Sequence, residues 1–299
     1  MAETCRKLTD LTVEHIRTLR LRDFMMLLVS FVSNLFVVYV LLRCIWEFTP
    51  LPQWFTGRNG AWIASACFIA VPCILSHTRI AQLFTLWSID ARKASNEEYE
   101  YIKDILLPIC EKENKTLDDY EIYIQDTKFM NAYAYGKGFI IITMGMLKSL
   151  PKEEITGILA HEAGHIHYGD TRMTQMTNSM EFCGNTAVKI LCVFNHICGL
   201  FTFIPCINFI AMVFSWMFSL MIFGIEFFVH TPCTLIKLFF FRQDEYDADR
   251  YACELGFADE IYKGLSHICE DDKDMSFLQH IWDTHPKLEN RLERIRAFM

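Results

Sequence analysis

The chain has 299 residues, 52% of them hydrophobic and 21% charged, with 28 Lys and Arg against 36 Asp and Glu. A formal net charge of −8 and the lack of any basic block argue against nucleic acid as a partner, because phosphate backbones are held by basic surfaces. A mean hydropathy of +0.19 alongside so many charges implies that apolar spans are segregated from a water-facing region.

Residues 1–23 are a basic segment with Arg6, Lys7, Arg17, Arg20 and Arg22. Leu8, Leu11, Ile16 and Leu19 give it a weak apolar stripe, which predicts a helix on the membrane surface. Phe24 to Ile45 is a nearly unbroken apolar run, long enough to cross a ~30 Å hydrocarbon core. A signal peptide would be shorter and end at small residues; Arg43, Trp46 and Pro50 follow instead, so the run is predicted to span. Ala61 to Leu75 is a second, short run, and the apolar character resumes from Ile80 to Ile89, which predicts a tilted second span. The first membrane hairpin thus covers 24–89, with Trp46, Trp54 and Trp62 flanking its turn as interfacial aromatics do.

Residues 90–181 are charged and water-facing. Ser95-Asn96-Glu97-Glu98 has capping-box spacing and predicts a helix with Ile102, Ile105, Leu106 and Ile109 on one side. Tyr120 to Ile124 and Phe139 to Thr143 read as strands, the second preceded by a Gly136-Lys137-Gly138 turn. Ser149 and Pro151 then open a helix reaching Tyr168. A second membrane hairpin over 182–236 is predicted from the runs Phe182–Ile204 and Ile207–Val229, with Pro205 at the turn. From 237 onward the chain is polar, with helical patterns near 243–254, 259–270 and 286–298. Lys and Arg cluster before the first span and after the second and fourth, which puts both termini and the polar segments on the cytoplasmic side. The 12 cysteines are scattered, form no CxxC, and read as reduced apolar fillers in a reducing compartment.

The chemistry concentrates in His161-Glu162-Ala163-Gly164-His165, an HExxH pattern within the helix that ends at Tyr168. Histidines one turn apart lie about 40° from each other around a helix, so both can reach a single Zn²⁺ at roughly 2.0–2.1 Å. Glu162 projects beside them, able to reach a water on the metal without ligating the metal itself. A third ligand is required. The metzincin continuation is excluded, because Tyr168 and Thr171 occupy its Gly and His positions. Glu181 is off the spacing of a downstream glutamate ligand and opens an apolar span. Arg242-Gln243-Asp244-Glu245-Tyr246-Asp247-Ala248-Asp249 is the better candidate. Glu245 and Asp249 share one helix face, so one can ligate while the other holds a histidine from behind; spacing does not say which. His167, His196, His230, His267 and His280 have no partner spacing and read as structural, whereas Lys189, His196 and Glu226 lie in or near spans, either functional or snorkelling.

Four stretches carry a resemblance: Asn131-Ala132-Tyr133-Ala134 with Ile140 to Leu147 after it, His161 to His165 with Asp170, Arg242 to Asp249, and His285-Pro286 with Arg291. In this order the chain resembles the HtpX-type membrane zinc metalloproteases, gluzincins related to the CAAX prenyl endopeptidase. The resemblance implies a predominantly α-helical integral membrane protein of about four spanning helices. Its α+β zincin-like catalytic domain, carrying a small sheet, would be built from 90–181 and 237–299. It implies one Zn²⁺ per chain on His161, His165 and Glu245, supported from behind by Asp249 and Asp170. Glu162 becomes the general base, His285 and Arg291 stabilise the oxyanion, and Asn131, Ala132, Tyr133 and Ala134 offer a strand edge to the substrate. The implied function is hydrolysis of misfolded or damaged membrane proteins at the cytoplasmic face of a bacterial inner membrane, with membrane proteases or chaperones as partners. Alternatives are a sequence-specific CAAX-type or regulatory processing protease, or a catalytically silent membrane scaffold. Phe241 and Lys287 depart from the family's pattern and bear on substrate preference.

Overall fold

The computed structural model describes residues 2–47, 58–268 and 286–299, with side chains described from 21–46, 59–268 and 286–299. They form two compact units, one from the described parts of 1–76 and 176–237, the other from those of 77–175 and 238–299.

The first unit is helical. Helix α1 (Ala2–Glu47) runs unbroken through Asp23, where a separate surface segment was expected to end. Helix α2 (Arg58–Ser76) follows. After residue 176 the unit takes in most of α7 (Asp170–Phe201), all of α8 (Asn208–Ile225), and the first turns of α9 (Thr231–Glu254). A π-helical widening, Glu226–His230, joins α8 to α9. Among the described residues, four stretches are long and apolar enough to cross a membrane: Leu21–Trp46, Asn59–Ser76, Asp170–Phe201 and Asn208–Glu254. The shortest, 18 residues, reaches about 27 Å at 1.5 Å per residue. The interior joins Val37, Val38 and Leu41 to Ile69, Cys183, Ala187 and Leu191. A buried Lys237 pairs with Glu181, so neither charge stands alone in an apolar setting. The apolar character that resumes at Ile80 does not extend the second span. It belongs to a separate helix, α3 (Arg79–Ser88), which starts afresh because the Thr78 hydroxyl accepts the Ala81 N–H and caps it.

The second unit holds a four-stranded sheet in the order β1-β2-β4-β3, built from β1 (Ala91–Lys93), β2 (Glu121–Gln125), β3 (Ala132–Tyr135) and β4 (Phe139–Thr143). β2 and β4 are parallel, and β1 and β3 flank them antiparallel. Three-residue β1 was not expected; it is too short to show a pattern. Alternation along the strands sends Ile122, Ile124, Ile140 and Ile142 to one face, where they meet α4 (Asn96–Glu113), α6 (Lys152–Tyr168), α10 (Ala258–Ile268) and α11 (Leu288–Arg296). Tyr123, Phe139 and Ile141 go to the other face, which Leu86 of α3 covers. The Ser95/Glu98 capping box is complete: the Glu98 N–H donates to Ser95 Oγ at 3.3 Å and the Ser95 N–H to Glu98 Oε2 at 2.8 Å. Short α5 (Met144–Ser149) links β4 to α6.

Candidate active site

α6 is buried along most of its length, and it runs beside edge strand β3 on one side and α9 on another. Its end decides one part of the site. Gly169 adopts φ +86°, a conformation that favours glycine, and its N–H closes on His165 O at 3.1 Å. The chain therefore turns back at once, and Asp170, the first residue of α7, places Oδ2 at 2.9 Å from His165 Nδ1. His161 is held in the same way, with Asp249 Oδ1 at 2.9 Å from its Nδ1. Ionised carboxylates only accept, so each ring carries a hydrogen on Nδ1, which leaves Nε2 as the nitrogen that a metal ion would take.

Those two Nε2 atoms stand 3.2 Å apart. Glu245 brings Oε1 to 3.5 Å from the His165 nitrogen and Oε2 to 3.6 Å from that of His161. Two donors held tetrahedrally at Zn²⁺ distances lie about 3.3 Å apart, so the trio fits a single small divalent ion. His161, His165 and Glu245 form the group suited to a metal among the described residues. Electrostatics agree with the geometry. Burial works against an imidazolium at His165, but Asp170 and Glu245 outweigh it and hold its proton affinity well above that of an ordinary histidine. This converging negative potential is what a bound cation would satisfy.

α6 and α9 can approach this closely because of Gly164. A Cβ there would lie 3.0 Å from Ala248 Cα, tighter than ordinary van der Waals contact. Replacing Gly164 by Leu should wedge the helices apart and move Glu245 away from both nitrogens. Metal affinity measured by competition with a chelator should fall by at least about tenfold, in line with the loss of a well-oriented ligand; unchanged affinity would show that this contact does not set the site.

Glu162 stands apart from the trio. Its Oε2 accepts the Ala134 N–H at 2.7 Å, which ties the carboxylate to the outer edge of β3. The pairing of Tyr133 with Ile141 and of Tyr135 with Phe139 turns the N–H and C=O groups of Ala132 and Ala134 outward, away from β4. Asn131 is anchored to Thr143, whose N–H donates to Asn131 O at 3.0 Å. Tyr133 and Tyr135 pack against the Phe139 and Ile141 face.

Arg291 departs from its expected oxyanion position. It is 7% exposed, with Nε and Nη2 donating to Asp249 at 2.8 and 2.7 Å and Nη1 at 2.9 Å from Glu245 Oε2. A guanidinium committed to the two acids that surround the histidines orients those acids. Burial pushes the Asp249 carboxyl up, and Arg291 and His161 outweigh it, holding the group below the usual carboxylate range. His285 lies outside the described residues.

Sequence reasoning missed a second buried polar cluster. The hydroxyls of Tyr120 and Tyr251 both donate to Glu113, the latter at 2.6 Å, and Lys115 Nζ lies 3.0 Å from the same carboxylate. His167 stacks on Tyr251 with ring centroids 4.5 Å apart. Burial first, then the Glu113 charge, pushes the Tyr251 phenol far above its ordinary value. The cluster ties the ends of α4, α6 and α9 together one turn from the histidines. Glu113 and Tyr251 are 138 residues apart, so no local pattern could have announced it.

Comparison with known proteins places the chain among peptidases. The profile of peptidase family M48 matches residues 96–299. A protease HtpX homolog of Helicobacter pylori (strain Shi470) is 23% identical over 231 residues, covering 69% of each chain. A protease HtpX homolog of Bacillus velezensis is 26% identical over 200 residues, covering 59% of this chain and 63% of its own. Among solved structures, Ste24p of S. mikatae aligns with a TM-score of 0.52 at 18% identity, over 98% of this chain and 73% of that one.

Proposed function

The chain belongs to peptidase family M48 as an HtpX-type membrane metalloprotease, and from that premise we propose that it is a zinc-dependent endopeptidase acting on misfolded or damaged membrane proteins at the cytoplasmic face. The observation that carries the reading is the convergence of two lone-pair imidazole nitrogens and one carboxylate on a single point, with a further carboxylate, Glu162, held beside it. His161, His165 and Glu245 would hold the ion, a borderline-soft N₂O set that suits Zn²⁺ and leaves a position open. When bound, the ion would polarise the scissile carbonyl and acidify its water.

The remaining steps fall to the chain's own groups. An extended substrate segment adds to the outward N–H and C=O groups of Ala132 and the outward C=O of Ala134 as a further strand, with Asn131 and Tyr133 flanking them. This seats the scissile bond beside Glu162, because Ala134 itself donates to that carboxylate. Glu162 takes the proton of the attacking water and returns it to the leaving amine. Asp170 and Asp249 keep both imidazoles in the tautomer that faces the ion, and Arg291 fixes Asp249 and Glu245 in turn. His285 would supply the donor for the developing oxyanion. Placement at a bacterial inner membrane with both termini cytoplasmic rests on the distribution of Lys and Arg and on the bacterial relatives. Membrane proteases or chaperones would share its substrates.

Stripping the purified full chain with a chelator should abolish cleavage of an unfolded membrane protein in detergent, and one equivalent of Zn²⁺ should restore it. Cleavage that persists in the metal-free protein would overturn the proposal.

A further inference from the structure

Helix α3 has its apolar side turned the wrong way for a helix in water. Ile80, Leu83, Phe84 and Trp87 fall at i, i+3, i+4 and i+7, a single stripe, and are 82%, 45%, 64% and 74% exposed. The polar Gln82 and Thr85 point inward with Leu86: Gln82 is buried against the Gly136 turn, and the Tyr135 hydroxyl donates to Thr85 Oγ1 at 3.2 Å. Leu86 is the buried apolar side chain by which the helix grips the sheet core, with Ile89 packed at its end and Arg79 over the Phe139 ring. Four large apolar side chains on one face of a ten-residue helix form the kind of continuous patch that marks an interaction surface.

The chain path says what covers the patch. α2, one of the four stretches able to cross a membrane, ends at Ser76, and α3 begins at Arg79. Three peptide steps reach at most about 11 Å, so the first turn of α3 stays at the boundary of the bilayer that α2 crosses. The charges beside that turn have the matching sign. Lys137 and Arg172 lie close enough to His77 to lower its proton affinity, after burial, by their own positive charge. Arg79 stands at the same end, paired with Glu121. Trp87, three-quarters exposed at the other end, is the residue type that favours the headgroup level.

We propose that α3 lies in the interfacial layer of the bilayer, with Ile80, Leu83, Phe84 and Trp87 among the upper acyl chains and the cationic cluster at anionic headgroups. The partner is a lipid surface, and the inference stands independently of the proteolytic reading. Its consequence is that edge strand β3 rides on a lipid-seated helix through the Tyr135–Thr85 hydrogen bond.

The test uses the full chain in vesicles of phosphatidylethanolamine and phosphatidylglycerol. A photo-reactive benzoylphenylalanine in place of Phe84 should give adducts heavier by one phospholipid. Adducts of twice the chain mass would make the patch a contact between copies, and no adduct would leave it in water; either result overturns the proposal. The second measurement tolerates a poorly folding adduct variant. Trp87→Phe should remove a fluorescence component that a headgroup-level nitroxide lipid quenches more than a nitroxide near the acyl terminus. If aqueous iodide alone quenches that component, α3 is not lipid-seated.

Discussion

Glu162→Gln should abolish peptide-bond cleavage while leaving the metal in place. Glu162 contributes no atom to the convergent trio, and its carboxylate accepts the Ala134 N–H of the edge strand. Glutamine has the same shape and keeps an oxygen to accept that N–H, so packing and metal binding persist. What disappears is the proton acceptor. General acid–base catalysis contributes about 10²–10⁴-fold, which corresponds to ~3–5 kcal/mol of barrier, and kcat should fall by that factor with KM little changed. Zinc content measured on the same preparation separates the outcomes. A fully loaded glutamine variant that cleaves at the wild-type rate would remove Glu162 from the chemistry.

Glu245→Ala should lose the metal itself. Two imidazoles remain, but the third donor, 3.5–3.6 Å from both Nε2 atoms, is gone, and Arg291 Nη1 is left facing the vacated position. A cation there repels a divalent ion, so the loss should exceed that from deleting an ordinary ligand. Asp249 is the informative contrast. It supports His161 from behind, and such outer partners are worth about 10–100-fold in metal affinity. The contrast is best drawn with Asp249→Asn. Asp249→Ala would leave the buried Arg291 guanidinium with Glu245 as its remaining acid of the two, and breaking a buried pair costs up to ~3–5 kcal/mol of folding stability. Retained zinc after dialysis against graded chelator should rank wild type first, then Asp249→Asn, then Glu245→Ala. An inverted order for the two variants would exchange the roles of the acids.

Much of the molecule was legible from local pattern. HExxH fell on a helix as its spacing required, because a four-residue interval is a property of any α-helix. The Ser95/Glu98 cap formed, and β4 runs from Phe139 to Thr143 as the apolar pentapeptide implied. The expectation of about four spans matches four helices of sufficient length and apolarity. The errors have a common origin. Ile80–Ile89 looked like the remainder of a span, since apolar content does not reveal that Thr78 restarts the helix or that Gln82 and Thr85 face inward. Nor does one residue letter show that Arg291, expected at the oxyanion, is paired with two buried carboxylates.

Local pattern was enough to say which residue types could carry the chemistry and on which helices they sit, because hydrogen-bonded backbone periodicity acts over a few residues and ignores the rest of the chain. Spacing left Glu245 and Asp249 equivalent, one turn apart on one face, and the resemblance told them apart without a physical reason. The reason lies in how the helices pack. The tight approach of Gly164 to Ala248 sets α9 against α6 at one height, so that Glu245 meets the inner nitrogens of both rings while Asp249 meets the outer nitrogen of His161. That choice rests on packing between segments some 80 residues apart, where steric fit across an interface, and no local rule, fixes which side chain faces which atom.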